Sequence, residues 1–145
     1  MTFSFKYRPA RLNSGKIISR PMVPIILEDE SKIAVFAMLD SGSDLTIIPE
    51  ELAEILSINF SGENEVFGIS REPVKAKEGR INVRFGKGKE FYNFSIPILV
   101  PLDKQDMPII IGRIGFFNQF KVTFIESEKK VEFKKVETSS ILCRK

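Results

Sequence analysis

Apolar runs separated by short polar turns dominate the chain after residue 16. Ile17–Leu27 is rich in β-branched residues, and Pro21 and Pro24 inside it predict an edge strand or an interrupted one. Ile33–Leu39 is almost continuously apolar, which is typical of a buried strand. The same reasoning predicts later strands near 64–69, 73–78, 80–86, 90–100, 108–112, 122–125 and 131–136.

Two short helices are predicted among these strands. Pro49 suits a first helical position, and Glu50 and Glu51 follow it where the helix dipole favours acidic side chains, so a helix is expected over 49–57. A second helix is predicted over 114–120, where phenylalanines recur at helical spacing. The chain is therefore predicted to be mostly β with one or two short helices.

The length of 145 residues suits a single domain. We divide the chain into a basic N-terminal arm, 1–16, a folded domain, 17–136, and a C-terminal tail, 137–145. Glu28 is the first acidic residue, so the positive charges before it are unopposed in sequence. A solvated basic arm is the simplest interpretation of that imbalance.

The composition excludes several kinds of catalytic, metal-binding and disulfide chemistry. The chain has no histidine and one cysteine, Cys143, which excludes Ser-His-Asp and Cys-His catalysis, a histidine-ligated zinc and an internal disulfide. A net charge of +3 is too small to indicate nucleic-acid binding by itself. No apolar run reaches the roughly 18 residues of a membrane span, and the N-terminus lacks a signal-peptide core. We therefore expect a cytoplasmic protein that binds no membrane.

The most informative motif follows the apolar strand Ile33–Leu39. There Asp40, Ser41, Gly42 and Ser43 form a polar turn. The strand would hold the Asp40 carboxylate rigidly at the edge of the core, and Gly42 would let another chain approach closely. Because Asp, Ser and Gly are also the commonest turn residues, this motif alone does not distinguish a catalytic site from a simple turn.

A second motif about seventy residues later changes that balance. Pro108–Arg113 is an apolar run that ends in Gly112-Arg113. An apolar–Asp–Ser–Gly motif followed by this run resembles the retropepsin-like aspartic proteases. The sequence Arg20-Pro21 looks like the step that opens the first main strand of retroviral members, and Asp44 matches their second acid. The resemblance covers roughly 17–125.

The resemblance implies a retropepsin-like acid-protease half-barrel that forms a twofold dimer. Asp40 would be the catalytic carboxylate. Ser41 stands where most members carry threonine, and its hydroxyl would bond the equivalent backbone of the partner chain. Gly42 would accept substrate main-chain hydrogen bonds.

The same resemblance assigns roles around the catalytic turn. Ser43 would bond the outer oxygen of Asp40. Asp44 would bind the substrate backbone and pair with Arg113 of its own chain, while the partner's Arg20 would reach Asp44 as well. The resemblance therefore predicts a network of charges that joins the site to the dimer interface.

The apolar residues Ile47 and Ile110 would line side-chain pockets. A flap should cover the site, and Val66–Arg71, with Gly68 and Ile69, is the best candidate for it. The retroviral flap tip is rich in glycine, whereas here only Gly68 remains.

The chemistry of the resembled family requires a dimer in a chain of this kind. One ionised carboxylate takes a proton from water while a second, protonated one polarises the scissile carbonyl. The chain has one Asp-Ser-Gly and is too short for two lobes, so the second Asp40 would come from a twofold-related subunit. The predicted function is that of a homodimeric aspartic endopeptidase acting on extended polypeptide. The alternative is a non-catalytic peptide-binding or assembly module on the same fold.

Three weaker signals are set aside. Ser127–Lys130 matches S-x-x-K but lies in a charged turn, unlike the buried lysine that a Ser-Lys mechanism needs. Asp40 and Asp44 could hold Mg²⁺ for phosphoryl transfer, but no phosphate-binding motif accompanies them. The basic turn within Phe85–Phe91 suits an ordinary hairpin better than a nucleic-acid surface. We therefore predict no metal, no cofactor and no nucleic-acid partner.

Overall fold

The computed structural model describes residues 1–67, 73–102 and 107–137, without the side chains of 64–67 and 73. Within these ranges the chain forms one α-helix, α1 (Glu50–Leu56), and two 3₁₀ turns, Phe117–Gln119 and Glu126–Glu128. The strands of the same ranges are β1 (Thr2–Lys6), β2 (Arg8–Arg11), β3 (Ile17–Arg20), β4 (Met22–Glu28), β5 (Lys32–Leu39), β6 (Thr46–Ile47), β7 (Phe60–Phe67), β8 (Pro73–Lys87), β9 (Glu90–Pro101), β10 (Ile110–Ile111), β11 (Phe120–Ile125) and β12 (Lys130–Lys135).

Strand boundaries differ from the predicted ones at proline and glycine. Pro21 divides the predicted strand Ile17–Leu27 into β3 and β4, because proline supplies no N–H for a ladder. The strands predicted near 73–78 and 80–86, in contrast, form the single strand β8, which runs through Gly79. A Cβ at Gly79 would lie 3.3 Å from the carbonyl oxygen of Asn59, so this glycine allows two chain segments to approach closely.

The first predicted helix is confirmed as α1, which follows Pro49 and ends at Ser57 in a left-handed conformation, φ 55°. The second predicted helix is wrong in extent, because only a 3₁₀ turn forms between the buried rings of Phe116 and Phe120. Gly115, with φ 91°, precedes that turn. The helical spacing of these phenylalanines therefore reflects the packing of a tight turn. No helix in the described ranges is long and apolar enough to cross a membrane.

The main sheet has the order β4-β5-β10-β6-β9-β8-β7 among the described strands, and β4 also pairs with β8. This second pairing curls the sheet toward a barrel around apolar side chains. The two-residue strand β10 runs parallel to β5 and antiparallel to β6, so a distant segment is inserted between two neighbours in sequence. The prediction of a mostly β half-barrel is confirmed.

A second sheet, β1-β12-β11, brings the two ends of the described chain together. Phe3 on β1 is only 8% exposed and stacks on Phe133 of β12 with ring centroids 5.5 Å apart. Phe133 in turn meets Phe85 of β8 at 4.8 Å. The prediction of a solvated N-terminal arm is therefore wrong for β1. The side chain of Phe3 on this strand completes the core that joins the two sheets.

We predict that Phe3→Ala lowers the free energy of unfolding by about 3–5 kcal/mol, since it removes a buried ring from a packed aromatic cluster. Phe124→Ala on β11 is the matched control, because that ring is 38% exposed and should cost far less. Urea denaturation followed by circular dichroism measures both. Equal losses in the two variants would show that β1 does not pack as described.

Candidate active site

Asp40 lies immediately after the last residue of β5 and is held by backbone bonds on both sides. Its own N–H donates to the carbonyl of Ile111 on β10 at 3.0 Å. The preceding residue, Leu39, donates its N–H to the carbonyl of Pro21 at 2.9 Å. Asp40 is therefore held where three chain segments meet, and its half-buried side chain lies at the edge of the core.

The turn after Asp40 folds back onto its carboxylate. Gly42 donates its N–H to Asp40 Oδ1 at 2.9 Å, and Ser43 donates its N–H to the Asp40 carbonyl at 3.1 Å. The Ser43 hydroxyl donates to the Leu45 carbonyl at 2.7 Å, which differs from the expected bond to Asp40. The reason is local, because a serine side chain readily reaches a carbonyl two residues ahead. Ser41 and Gly42 are exposed.

Asp44 and Arg113 form an ion pair within the chain, as the resemblance implies. Both side chains remain largely exposed, 72% for Asp44 and 55% for Arg113. The backbone strengthens the connection, because Arg113 donates its N–H to the Ser43 carbonyl at 2.9 Å and Ile114 donates to the Asp44 carbonyl at 2.8 Å. The turn that begins at Asp40 and the segment after β10 are thus joined along their main chains.

Thr46 is a positioning residue that the sequence analysis did not identify. Its side chain is fully buried, and its Oγ1 accepts a hydrogen bond from the Gly112 N–H at 3.2 Å. A lone threonine inside the apolar segment Leu45–Ile48 is the signal that could have revealed it, since a buried hydroxyl needs a partner. Gly112 is equally constrained, because a Cβ there would lie 2.3 Å from the Leu45 carbonyl oxygen.

The two predicted pocket residues, Ile47 and Ile110, are brought together. They are register partners across β6 and β10, and both are half-buried. The predicted flap residues Gly68 and Ile69 lie outside the described residues. On either side of them β7 and β8 pair antiparallel as far as Phe67 and Pro73.

Arg20, predicted at the dimer interface, ends β3 and is half-buried. It lies directly across from Arg8 of β2. Within the described residues of this one chain, no carboxylate is within 4.0 Å of its guanidinium.

The two carboxylates of the site differ in their neighbours. Arg113 neutralises Asp44, whereas the Asp40 carboxylate accepts a backbone N–H and meets no cation among the described residues. The pairing with Arg113 also makes Asp44 a poor second ligand for Mg²⁺, since the guanidinium already holds one of its oxygens.

Comparison with solved structures identifies the fold. The chain is similar to a retropepsin-like aspartic protease from Rickettsia conorii, with a TM-score of 0.58 and 16% identity over 92% of this chain and 91% of that one. It is also similar to the retroviral protease-like domain of Ddi1 from Leishmania major, with a TM-score of 0.51 and 16% identity over 83% of this chain and 96% of that one. No family model and no curated protein matches the sequence. The retropepsin-like fold predicted from the two motifs is confirmed.

We predict that Gly112→Ala destabilises the chain by about 2 kcal/mol or more, because its Cβ would overlap the Leu45 carbonyl in a rigid part of the site. Gly62→Ala is the matched control, since a Cβ there would meet nothing within 4 Å. Thermal melts of the two variants, compared with wild type, measure the difference. A Gly112→Ala variant as stable as Gly62→Ala would refute the close approach of β10 to the turn.

Proposed function

We propose that this protein is a homodimeric aspartic endopeptidase that hydrolyses extended polypeptide chains. The observation that carries the proposal is the main-chain clamp that holds the Asp40 turn against β10. It combines an Asp-Ser-Gly turn, an Ile-Gly-Arg segment and a retropepsin-like fold at one place in the molecule. Because one fold can carry many functions, it is the chemistry of this site that indicates peptide hydrolysis.

The missing half of the site is the reason for proposing a dimer. Peptide hydrolysis by water needs one carboxylate to take the proton and a second carboxyl group to polarise the carbonyl. The sequence contains one Asp-Ser-Gly, and Asp44 is engaged by Arg113. A twofold axis beside the exposed Ser41 and Gly42 would place the partner's Asp40 opposite Asp40 through an isologous interface.

The proposed reaction is direct attack by water. The ionised Asp40 accepts a proton as the water oxygen bonds to the carbonyl carbon, and the protonated carboxyl of the partner's Asp40 donates a hydrogen bond to the carbonyl oxygen. The tetrahedral intermediate then collapses by breaking the C–N bond, and the leaving amine takes a proton from the pair of carboxyls. No covalent enzyme intermediate forms, which suits a chain without histidine.

The proposed substrate is an extended peptide with apolar side chains near the scissile bond. Ile47 and Ile110 are adjacent and half-buried, so they supply an apolar surface close to Asp40. Strand-like pairing of main chains would align the peptide, because backbone groups at an open site bind any sequence in an extended form.

We predict that Asp40→Asn abolishes peptide cleavage, reducing it by at least about a thousandfold, because an amide cannot accept the proton from water. Mass spectrometry of unstructured peptides incubated with each variant measures this loss. The matched control is Asp29→Asn, which changes an exposed carboxylate in the turn between β4 and β5 and should cut as well as wild type. Sedimentation should show that the Asp40→Asn protein is folded and still dimeric.

Two results of that experiment would reject the proposal. Cleavage by Asp40→Asn at the wild-type rate would remove Asp40 from the mechanism. Binding of peptides by the wild-type protein without cleavage at any pH would instead indicate the non-catalytic peptide-binding module on the same fold.

We also predict that Arg113→Ala weakens the dimer more than it weakens the single chain. In one chain both partners of the Asp44–Arg113 pair are mostly exposed, and such a pair contributes about 0–1 kcal/mol. At a dimer interface the Asp44 carboxylate would be left buried without its partner, which costs considerably more. Sedimentation velocity over a range of concentrations should show a dissociation constant raised by about tenfold or more.

The control for this variant is Arg80→Ala, which removes an exposed arginine that bonds Ser95 on the sheet surface, and it should leave dimerisation unchanged. An Arg113→Ala protein with unaltered dimer affinity and melting temperature would contradict the proposed role of the pair.

A further inference from the structure

The strands β2 and β3 form a hairpin that belongs to neither larger sheet. Their register runs from Arg8 opposite Arg20 at the base to Arg11 opposite Ile17 near the tip. The turn between them contains Gly15 at φ 89°, and the described chain adds no further strand to this pair. Both edges of the hairpin therefore present backbone groups that an extended peptide could pair with.

The hairpin carries positive charge that the described chain does not neutralise. Arg8, Arg11, Lys16 and Arg20 all lie on it, and no carboxylate of the described residues is within 4.0 Å of their charged groups. Arg8 instead lies over the ring of Phe36, 3.6 Å from its centroid. Cations without an anionic partner attract an anionic ligand.

The position of the hairpin connects it to the candidate active site. Arg20, the last residue of β3, directly precedes Pro21, whose carbonyl accepts the Leu39 N–H at 2.9 Å, and Leu39 is the residue before Asp40. From that base, four residues of strand extend about 13 Å. An extended peptide needs about four residues to span the same length.

We propose that the β2–β3 hairpin is an exosite for an acidic segment of the polypeptide substrate. The residues assigned to it are Arg8, Arg11 and Lys16, since Arg20 is reserved for Asp44 in the proposed dimer. The inference rests on the proposed function, because it is the peptide passing Asp40 that brings its flanking residues to the hairpin. Twofold symmetry would place one hairpin at each end of the cleft, so acidic residues on either side of the scissile bond are recognised.

A peptide fits this hairpin better than a nucleic acid does. The cations lie along one two-stranded hairpin instead of forming a broad basic face, which suits a single extended chain. The exposed side chain of Ile17, 60% accessible, offers an apolar contact that a phosphate backbone would not use. The net charge of the whole chain is only +3.

The test compares two peptides that share one cleavable core and differ only in flanks of three glutamates or three glutamines on both sides. We expect wild type to cleave the glutamate peptide with a kcat/KM about tenfold higher at low salt, mainly through KM, since three exposed ion pairs together supply roughly this factor. The preference should fall at high salt because exposed charges are screened. In the triple variant R8Q/R11Q/K16Q it should fall below about twofold.

The matched control is the triple variant K89Q/K121Q/K134Q, which removes the same charge from exposed positions away from the hairpin and should keep the tenfold preference. Wild type that cleaves both peptides equally would overturn the exosite. So would a preference that survives in the hairpin variant or disappears in the control variant.

A binding measurement separates this inference from the proposed function. Fluorescence anisotropy with the Asp40→Asn protein should show hairpin-dependent binding of the glutamate peptide whether or not wild type cleaves anything. Absence of that binding would refute the exosite while leaving the protease activity standing. An oligonucleotide of equal length that binds the hairpin more tightly than the peptide would assign the surface to nucleic acid and also refute the proposal.

Discussion

The structure depends on one insertion, that of β10 between β5 and β6. These two residues join segments that are far apart in sequence, because Ile110 and Ile111 pair with Met38 and Leu39 on one side and with Ile47 on the other. Several polar contacts of the site follow from this placement. The Asp40 N–H finds its acceptor on β10, and the residues just after β10 bond the turn that Asp40 begins. Moving β10 would therefore disassemble the core and the site together.

The rest of the fold supports that insertion from outside. The pairing of β4 with β8 curves the main sheet, and the aromatic cluster around Phe85 joins it to the sheet made by β1, β11 and β12. A polar turn is poorly stabilised by its own contacts, because it buries little apolar surface. Rigid strands on several sides supply the order that the Asp40 turn cannot supply by itself.

The two carboxylates of the site have different surroundings. Arg113 neutralises Asp44, whereas no cation pairs with Asp40 among the described residues. The proposed reaction needs a second carboxyl group, which a twofold-related copy of Asp40 would supply. The same symmetry would double any recognition element beside the site, including the basic hairpin formed by β2 and β3.

The sequence by itself determined the alternation of strands, the helix after Pro49, and the two motifs that contain Asp40 and Gly112, because each depends on residues close together in the chain. Only the tertiary structure decided that Phe3 belongs to the core, that Phe116 and Phe120 flank a turn, and that Thr46 holds Gly112. These outcomes depend on contacts between distant segments. Local propensity carries no information about such contacts, because the space that a side chain fills is created by the rest of the fold.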